Sequence, residues 1–143
     1  MAAASQTREL GLARVLLVDD DPASRLTLQT VLQTCGYSVE AAASSAEAVG
    51  KLDDGEYALV LSGLQMESPE AGRKVLAHAR MMGYKPATAL FTTFHDAAVS
   101  PAHRKNSLFI EPEDIPGLIS KIADLISERA TRRLRRELLL AGV

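Results

Sequence analysis

The sequence predicts an α/β protein, a five-stranded parallel sheet flanked by helices, on three observations. Short apolar runs such as residues 15–18, 59–61 and 89–91 lack polar alternation, as strands buried on both faces do. Between such runs lie stretches with apolar residues at helical spacing, opened by capping residues and closed by glycines. The two kinds of segment alternate, which gives parallel strands joined by right-handed crossovers. A length of 143 residues suits a single domain with a sizeable core.

The first strand is expected at residues 14–18, where an apolar run stops at Asp19-Asp20-Asp21. Pro22 suits the first position of a helix and Asp21 can accept from the free amides of its first turn, so a helix opens there. Leu26, Leu28, Val31 and Leu32 supply its apolar stripe, Cys35 falls in the same pattern as a buried thiol, and Gly36 ends it. Residues 37–41 alternate as a half-exposed second strand, and Ser44 with Glu47 makes a capping box for a helix through Leu52. Tyr57-Ala58-Leu59-Val60-Leu61 is the central strand, followed by Ser62-Gly63. Ser68-Pro69 opens a third helix, with Val75, Leu76, Ala79 and Met82 at helical spacing until Gly83. Residues 87–92 and 107–110 read as the fourth and fifth strands. Residues 94–106 hold Pro101 and few apolar side chains, so a short or broken helix is expected between them. The last helix starts at Ile115, and beyond Leu125 its apolar pattern continues through Ile126, Ala130, Leu134 and Leu138.

Composition narrows the class. The chain is 47% hydrophobic and 24% charged, and no apolar run approaches the ~20 residues of a membrane-spanning helix. Residues 1–6 lack the charged-then-apolar order of a signal peptide, so a cytoplasmic protein without membrane insertion is expected. One cysteine, Cys35, excludes an intrachain disulfide. His78, His95 and His103 have no metal-ligand spacing, and there is no phosphate-cradling glycine loop or serine nucleophile elbow, so no enzyme activity is expected. Charge is unevenly spread. Residues 1–124 carry 11 basic and 16 acidic side chains, net minus 5, whereas residues 125–143 carry 5 and 2, net plus 3.

The element order and the run Val15-Leu16-Leu17-Val18-Asp19-Asp20-Asp21-Pro22 resemble the receiver domains of bacterial two-component response regulators. The resemblance covers about residues 13–127 and implies a doubly wound, flavodoxin-like five-stranded sheet of order 2-1-3-4-5. It also implies a site at the carboxyl ends of the strands. There an aspartate ending the third strand accepts a phosphoryl group, and an acidic pair at Asp19 and Asp20 holds magnesium. A hydroxyl on the fourth strand and a lysine on the fifth contact the transferred group. The chemistry has a plain logic: a carboxylate attacking an anion needs a divalent cation and a fixed ammonium to offset the charge that accumulates.

This chain departs from that set where the reaction would occur. Alignment on the third strand puts Gly63 at the acceptor position and Glu67 at the proline that follows it. Ser62 cannot substitute, because neighbouring strand side chains point to opposite faces. Glu111 stands where the lysine should be, Leu108 at the aromatic switch position, and Thr92 or Thr93 is the candidate hydroxyl. The family set of three aspartates and one lysine sums to minus 2, whereas Asp19, Asp20, Gly63 and Glu111 sum to minus 3. Like charges should then raise carboxylate pKa values, turn Glu111 outward, or retain a cation. No cofactor is required on this reading, and any divalent binding at Asp19 and Asp20 is weak and chemically idle.

The organisation expected is a polar leader at 1–12, a receiver-like domain at 13–127 and a basic amphipathic helical extension at 128–143, with Arg129, Arg132, Arg133, Arg135 and Arg136 in the extension. The function expected is a stand-alone signalling module of a two-component phosphorelay. It acts by protein-protein interaction without accepting phosphate, through residues 94–110 and the last helix. Its partner is a histidine kinase, another regulator or an output protein, and the C-terminal helix can also pair with a second copy. Two alternatives remain: phosphoryl acceptance by a non-standard residue, and nucleic-acid association through the arginines, disfavoured by the lack of aromatic or recognition-helix patterning.

Overall fold

The computed structural model describes residues 13–92, 109–111 and 113–142. The expected leader, the broken helix at 94–106, and Thr93, His95, His103 and Leu108 lie outside the described residues. Strands β1 (Arg14–Val18), β2 (Ser38–Ala42), β3 (Leu59–Gly63), β4 (Ala87–Phe91) and β5 (Phe109–Ile110) pair in parallel in the order β2-β1-β3-β4-β5. Four strands have five residues each, while β5 is a two-residue pairing of Phe109 and Ile110 with Leu90 and Phe91. The helices are α1 (Pro22–Thr34), α2 (Ser45–Asp54), α3 (Ala71–Arg80) and α4 (Ile115–Leu140).

Strand alternation sorts the core into two layers. Val15, Leu17, Leu59, Leu61, Ala89 and Phe91 meet Leu28 and Leu32 of α1 and Leu118 and Ile122 of α4. Leu16, Val18, Val60 and Leu90 meet Leu52 of α2 and Val75, Leu76 and Ala79 of α3 on the other side. All the described residues of β3 are buried, which places its carboxyl end at the centre of the molecule.

The helix starts follow their capping residues. The Asp21 carboxylate accepts from the Ala23 amide at 3.3 Å with Pro22 in the first turn, and Gly36, at φ 99°, turns the chain out of α1. Ser44 Oγ accepts from the Glu47 amide, and Glu47 Oε2 accepts from the amide of Ala43 rather than Ser44, so the reciprocal box closes one residue early. α3 begins at Ala71 rather than at Ser68-Pro69, because the Ser68 carbonyl is taken by the amides of Met66 and Ala71 in a turn. Gly72 lets this helix approach the end of β3, where its amide donates to the Leu64 carbonyl at 3.2 Å. A Cβ there would fall inside contact distance of the Gly63 and Leu64 carbonyl oxygens.

Some expectations are corrected. The central strand begins at Leu59, two residues after Tyr57, since pairing with Val15 starts there and Tyr57 is buried just ahead of it. Leu26 is 64% exposed, lying off the face carried by Leu28 and Leu32. Cys35 is exposed, not buried, because it is the residue capping α1 as the chain turns away at Gly36. The last helix is one continuous 26-residue element, but Leu134 and Leu138 do not extend its packed face. The inner face runs through Leu118, Ile122, Leu125 and Ile126 to Arg129, and from Ala130 onward every described side chain is exposed.

Candidate functional site

The carboxyl ends of β1, β3, β4 and β5 bring Asp19, Asp20, Gly63, Thr92 and Glu111 to one edge of the sheet. The Asp19 amide donates to the Ala42 carbonyl and the Thr92 amide to the Ile110 carbonyl, so the parallel ladders continue one residue past the strands.

Asp19 is 5% exposed. Its Oδ1 accepts from the Asp21 amide at 3.1 Å, while Oδ2 is buried without a hydrogen-bond partner. Burial pushes the Asp19 carboxyl above the usual aspartate range, against the lowering effect of the Ser24 hydroxyl and the Asp21 amide. A guanidinium stands close by, since Arg25 donates to the Asp19 carbonyl at 2.8 Å. Asp20 and Glu111 are exposed. A buried, unpaired carboxylate oxygen beside a second carboxylate suits a hard cation, but Gly63 offers no third carboxylate. Among the described residues no group of three His, Cys, Asp or Glu side chains is placed to hold a metal.

Gly63 faces the same layer as Leu59 and Leu61. A Cβ at Gly63 would meet Met66 Cγ at 3.5 Å and Phe91 Cζ at 3.5 Å. The space into which a longer side chain would project is therefore lined by an aromatic ring and a thioether. Ser62 lies on the opposite face of β3, fully buried, and its hydroxyl donates to the Gly63 carbonyl at 3.0 Å. Glu67 closes the loop after β3: its Oε1 accepts from the Ser45 amide at 2.8 Å and from the Ser45 hydroxyl. These bonds at the amino end of α2 hold the Glu67 carboxyl below its ordinary range.

At the opposite edge, Arg129, expected in the basic extension beyond the domain, instead packs on it and is 8% exposed. Its Nε donates to the Lys85 carbonyl at 3.0 Å and its Nη2 to the Tyr84 carbonyl at 2.7 Å. Lys85 adopts φ 43°, and Tyr84 donates to the Leu52 carbonyl at 3.0 Å, with burial pushing its phenol up to about 12. This turn before β4 is thus gripped from α2 and α4 together. The signal was in the spacing, because Ile122, Ile126 and Arg129 follow one face at steps of four and three. His78 makes a 2.8 Å contact to Asp53 that links α3 to α2.

A doubly wound parallel sheet with paired acids closing its first strand defines a flavodoxin-like receiver. Residues 15–105 match the family model of the response regulator receiver domain, and the chain belongs to that family. A stretch of 53 residues is 43% identical to a gliding motility regulatory protein of Myxococcus xanthus, covering 37% of this chain and 7% of that protein. The chain therefore spans only a small part of that relative's length.

Solved structures agree on the fold. A response regulator receiver protein from Sinorhizobium medicae has 22% identity and a TM-score of 0.72, covering 84% of this chain and 98% of its own. A receiver domain protein from Methanospirillum hungatei has 23% identity and a TM-score of 0.72, covering 85% and 98%. A response regulator from Thermotoga maritima, solved in complex with Mg(2+)-BeF, has 24% identity and a TM-score of 0.62, covering 80% and 99%.

Proposed function

We propose that this receiver is a signalling module that works by protein-protein interaction without accepting a phosphoryl group. The observation that carries the reading is the acceptor position itself: Gly63 has no nucleophile, and a Cβ there would stand in ordinary van der Waals contact with Met66 and Phe91. Glu111, at the lysine position, is exposed, so no ammonium from β5 faces the edge where charge would accumulate. The alternative acceptor on this strand, Ser62, is fully buried on the other face with its proton given to the Gly63 carbonyl. The expected partner is a histidine kinase, another regulator or an output protein, in the cytoplasm, engaged through the unit at 13–127 and the extension at 128–143. Among the described residues, no helix is long and apolar enough to cross a membrane. Incubation with a small phosphodonor and magnesium, followed by intact mass, tests the reading. An unchanged mass is expected, and an acid-labile gain of one phosphoryl group overturns it.

The unpaired Oδ2 of Asp19 supports a second, smaller proposal. Asp19 and Asp20 would hold a divalent cation weakly, as a remnant that offsets charge without activating a nucleophile. The Mg(2+)-BeF complex of the Thermotoga maritima relative makes magnesium the ion to try. Calorimetric titration should give weak binding or none, and micromolar affinity with defined stoichiometry would contradict it.

A further inference from the structure

We propose that the carboxyl edge of the sheet is a docking face for a basic, arginine-bearing segment of a partner protein. The charges of the body are sorted by edge. Among the described residues, the loops that follow the strands and the first turns of the four helices carry 9 acidic side chains against 3 basic ones, Arg25, Arg73 and Lys74. All other residues up to 124 carry 7 acidic and 8 basic ones. The edge is thus net minus 6 and the rest of the body net plus 1, a segregation that draws cationic partners to this side. Counting residues 93–108 with the edge moves its net only to minus 5. Eight of the nine carboxylates are exposed, Asp20, Glu67, Glu111 and Glu113 among them.

The ninth is Asp19, 5% exposed, and it is the group that lacks a ligand. Its side chain turns into the loop at this edge, since Oδ1 accepts from the Asp21 amide, while Oδ2 is buried with no hydrogen-bond partner. An unpaired buried acceptor costs free energy, which a charged donor arriving in a complex recovers. Arg25 does not supply that donor, because it is turned to the Asp19 backbone carbonyl at 2.8 Å. A metal ion is a poor occupant, since among the described residues no three His, Cys, Asp or Glu side chains are placed to hold one. Spread acids suit a chain of separate donors. Strands β1 and β5 stand three strand spacings apart, about 14 Å. Arginines about four residues apart on an extended segment span that distance at ~3.3 Å per residue, with one guanidinium at Asp19 and Asp20 and the next at Glu111. Arginine fits better than lysine, because the guanidinium is more weakly hydrated and its fork serves two carboxylate oxygens at once.

The proposal rests on reading this receiver as an interaction module, and the two fail separately: a chain that stays unlabelled by a phosphodonor yet ignores a basic peptide leaves that reading intact and overturns this one. Fluorescence anisotropy on the full chain, with a labelled peptide of alternating arginine and alanine, should show binding that weakens steeply with salt. Asp20→Asn combined with Glu111→Gln should weaken it by about tenfold or more with unchanged far-ultraviolet circular dichroism. Asp54→Asn, which removes the same kind of charge at the far end of α2, should leave it within about twofold. Asp19→Asn should weaken binding while raising the urea midpoint, which separates lost docking from lost folding. The lysine version of the peptide should bind more weakly. No binding at about 100 micromolar peptide and low salt overturns the proposal, as does an equal loss in Asp54→Asn or equal affinity for the lysine peptide. Displacement of the peptide by micromolar magnesium overturns it in favour of a metal. A dimer in light scattering that salt dissolves overturns it in favour of the basic extension of a second copy.

Discussion

Arg129→Ala removes the only described side chain that bonds both carbonyls of the Tyr84–Lys85 turn. Hydrogen bonds from a charged donor contribute roughly 1.5–3 kcal/mol each, so two give an upper bound of about 3–6 kcal/mol. Two effects reduce it. The guanidinium is desolvated in the folded chain, which lowers its pKa, so the ion offsets part of its own gain. Lys85 is exposed and Tyr84 half-buried, so water can reach the freed carbonyls after truncation. The net expectation is a loss of about 2 kcal/mol, which at ~2 kcal/mol per molar of urea moves the denaturation midpoint by about 1 M with the slope unchanged. Arg129→Lys should recover part of this, since one ammonium cannot span two carbonyls with the fixed fork of a guanidinium. Amide exchange should speed up locally, at residues 127–133 and in the turn before β4. A midpoint within about 0.2 M of the parent, with no change in exchange there, would refute the idea that this residue moors α4 and supports the positive φ of Lys85.

Three further outcomes follow from the carboxyl edge. Gly63→Ala should change stability by less than about 0.5 kcal/mol, because its Cβ meets only ordinary contacts, whereas Gly72→Ala should cost several kcal/mol by pushing α3 off β3; urea midpoints of the two decide it. Asp19→Asn should stabilise the domain at neutral pH. The raised folded pKa means the native state holds its proton more tightly than the unfolded chain, so stability falls as pH rises from the usual aspartate range through the raised value. The advantage of Asn should therefore shrink below that range, and a pH series of midpoints measures it. Gly63→Asp alone should remain unlabelled by a phosphodonor in an intact-mass assay, since its carboxylate would abut the Phe91 ring with no lysine opposite.

Strand and helix order was legible because apolar runs and caps are local signals. Asp21, Gly36, Ser44 and Glu47 act as their types suggest. What misled were continuations judged by type alone. Tyr57 and Ala58 extend the apolar run of β3, but the strand begins only where pairing with Val15 begins. The series Ile126, Ala130, Leu134, Leu138 advances by four residues at each step, or about 40° of drift per step on a helix of 3.6 residues per turn. Three steps rotate it by about 120°, off the packed face. The steps of four and three that keep the face lead instead to Arg129, Arg133 and Arg136. At the candidate site, the residues gathered at the edge followed from strand order. The covering of Gly63 by Phe91 and Met66 depends on which side chains meet across β3 and β4, which spacing does not report.

The changes at this edge compensate for one another. A carboxylate at position 63 would add a third negative group beside Asp19, whose own charge is already disfavoured by burial. With no carboxylate at position 63, a lysine at position 111 would have less charge to balance, and Glu111 is exposed to water. Met66, partly buried against the core, holds the loop after β3 inward, while Glu67 secures the next residue at the amino end of α2. A loop held at both points has less freedom to answer a change at the strand end. On the proposed reading, signalling would depend on surfaces whose shape is already set, of which the outer face of α4 is the longest among the described residues.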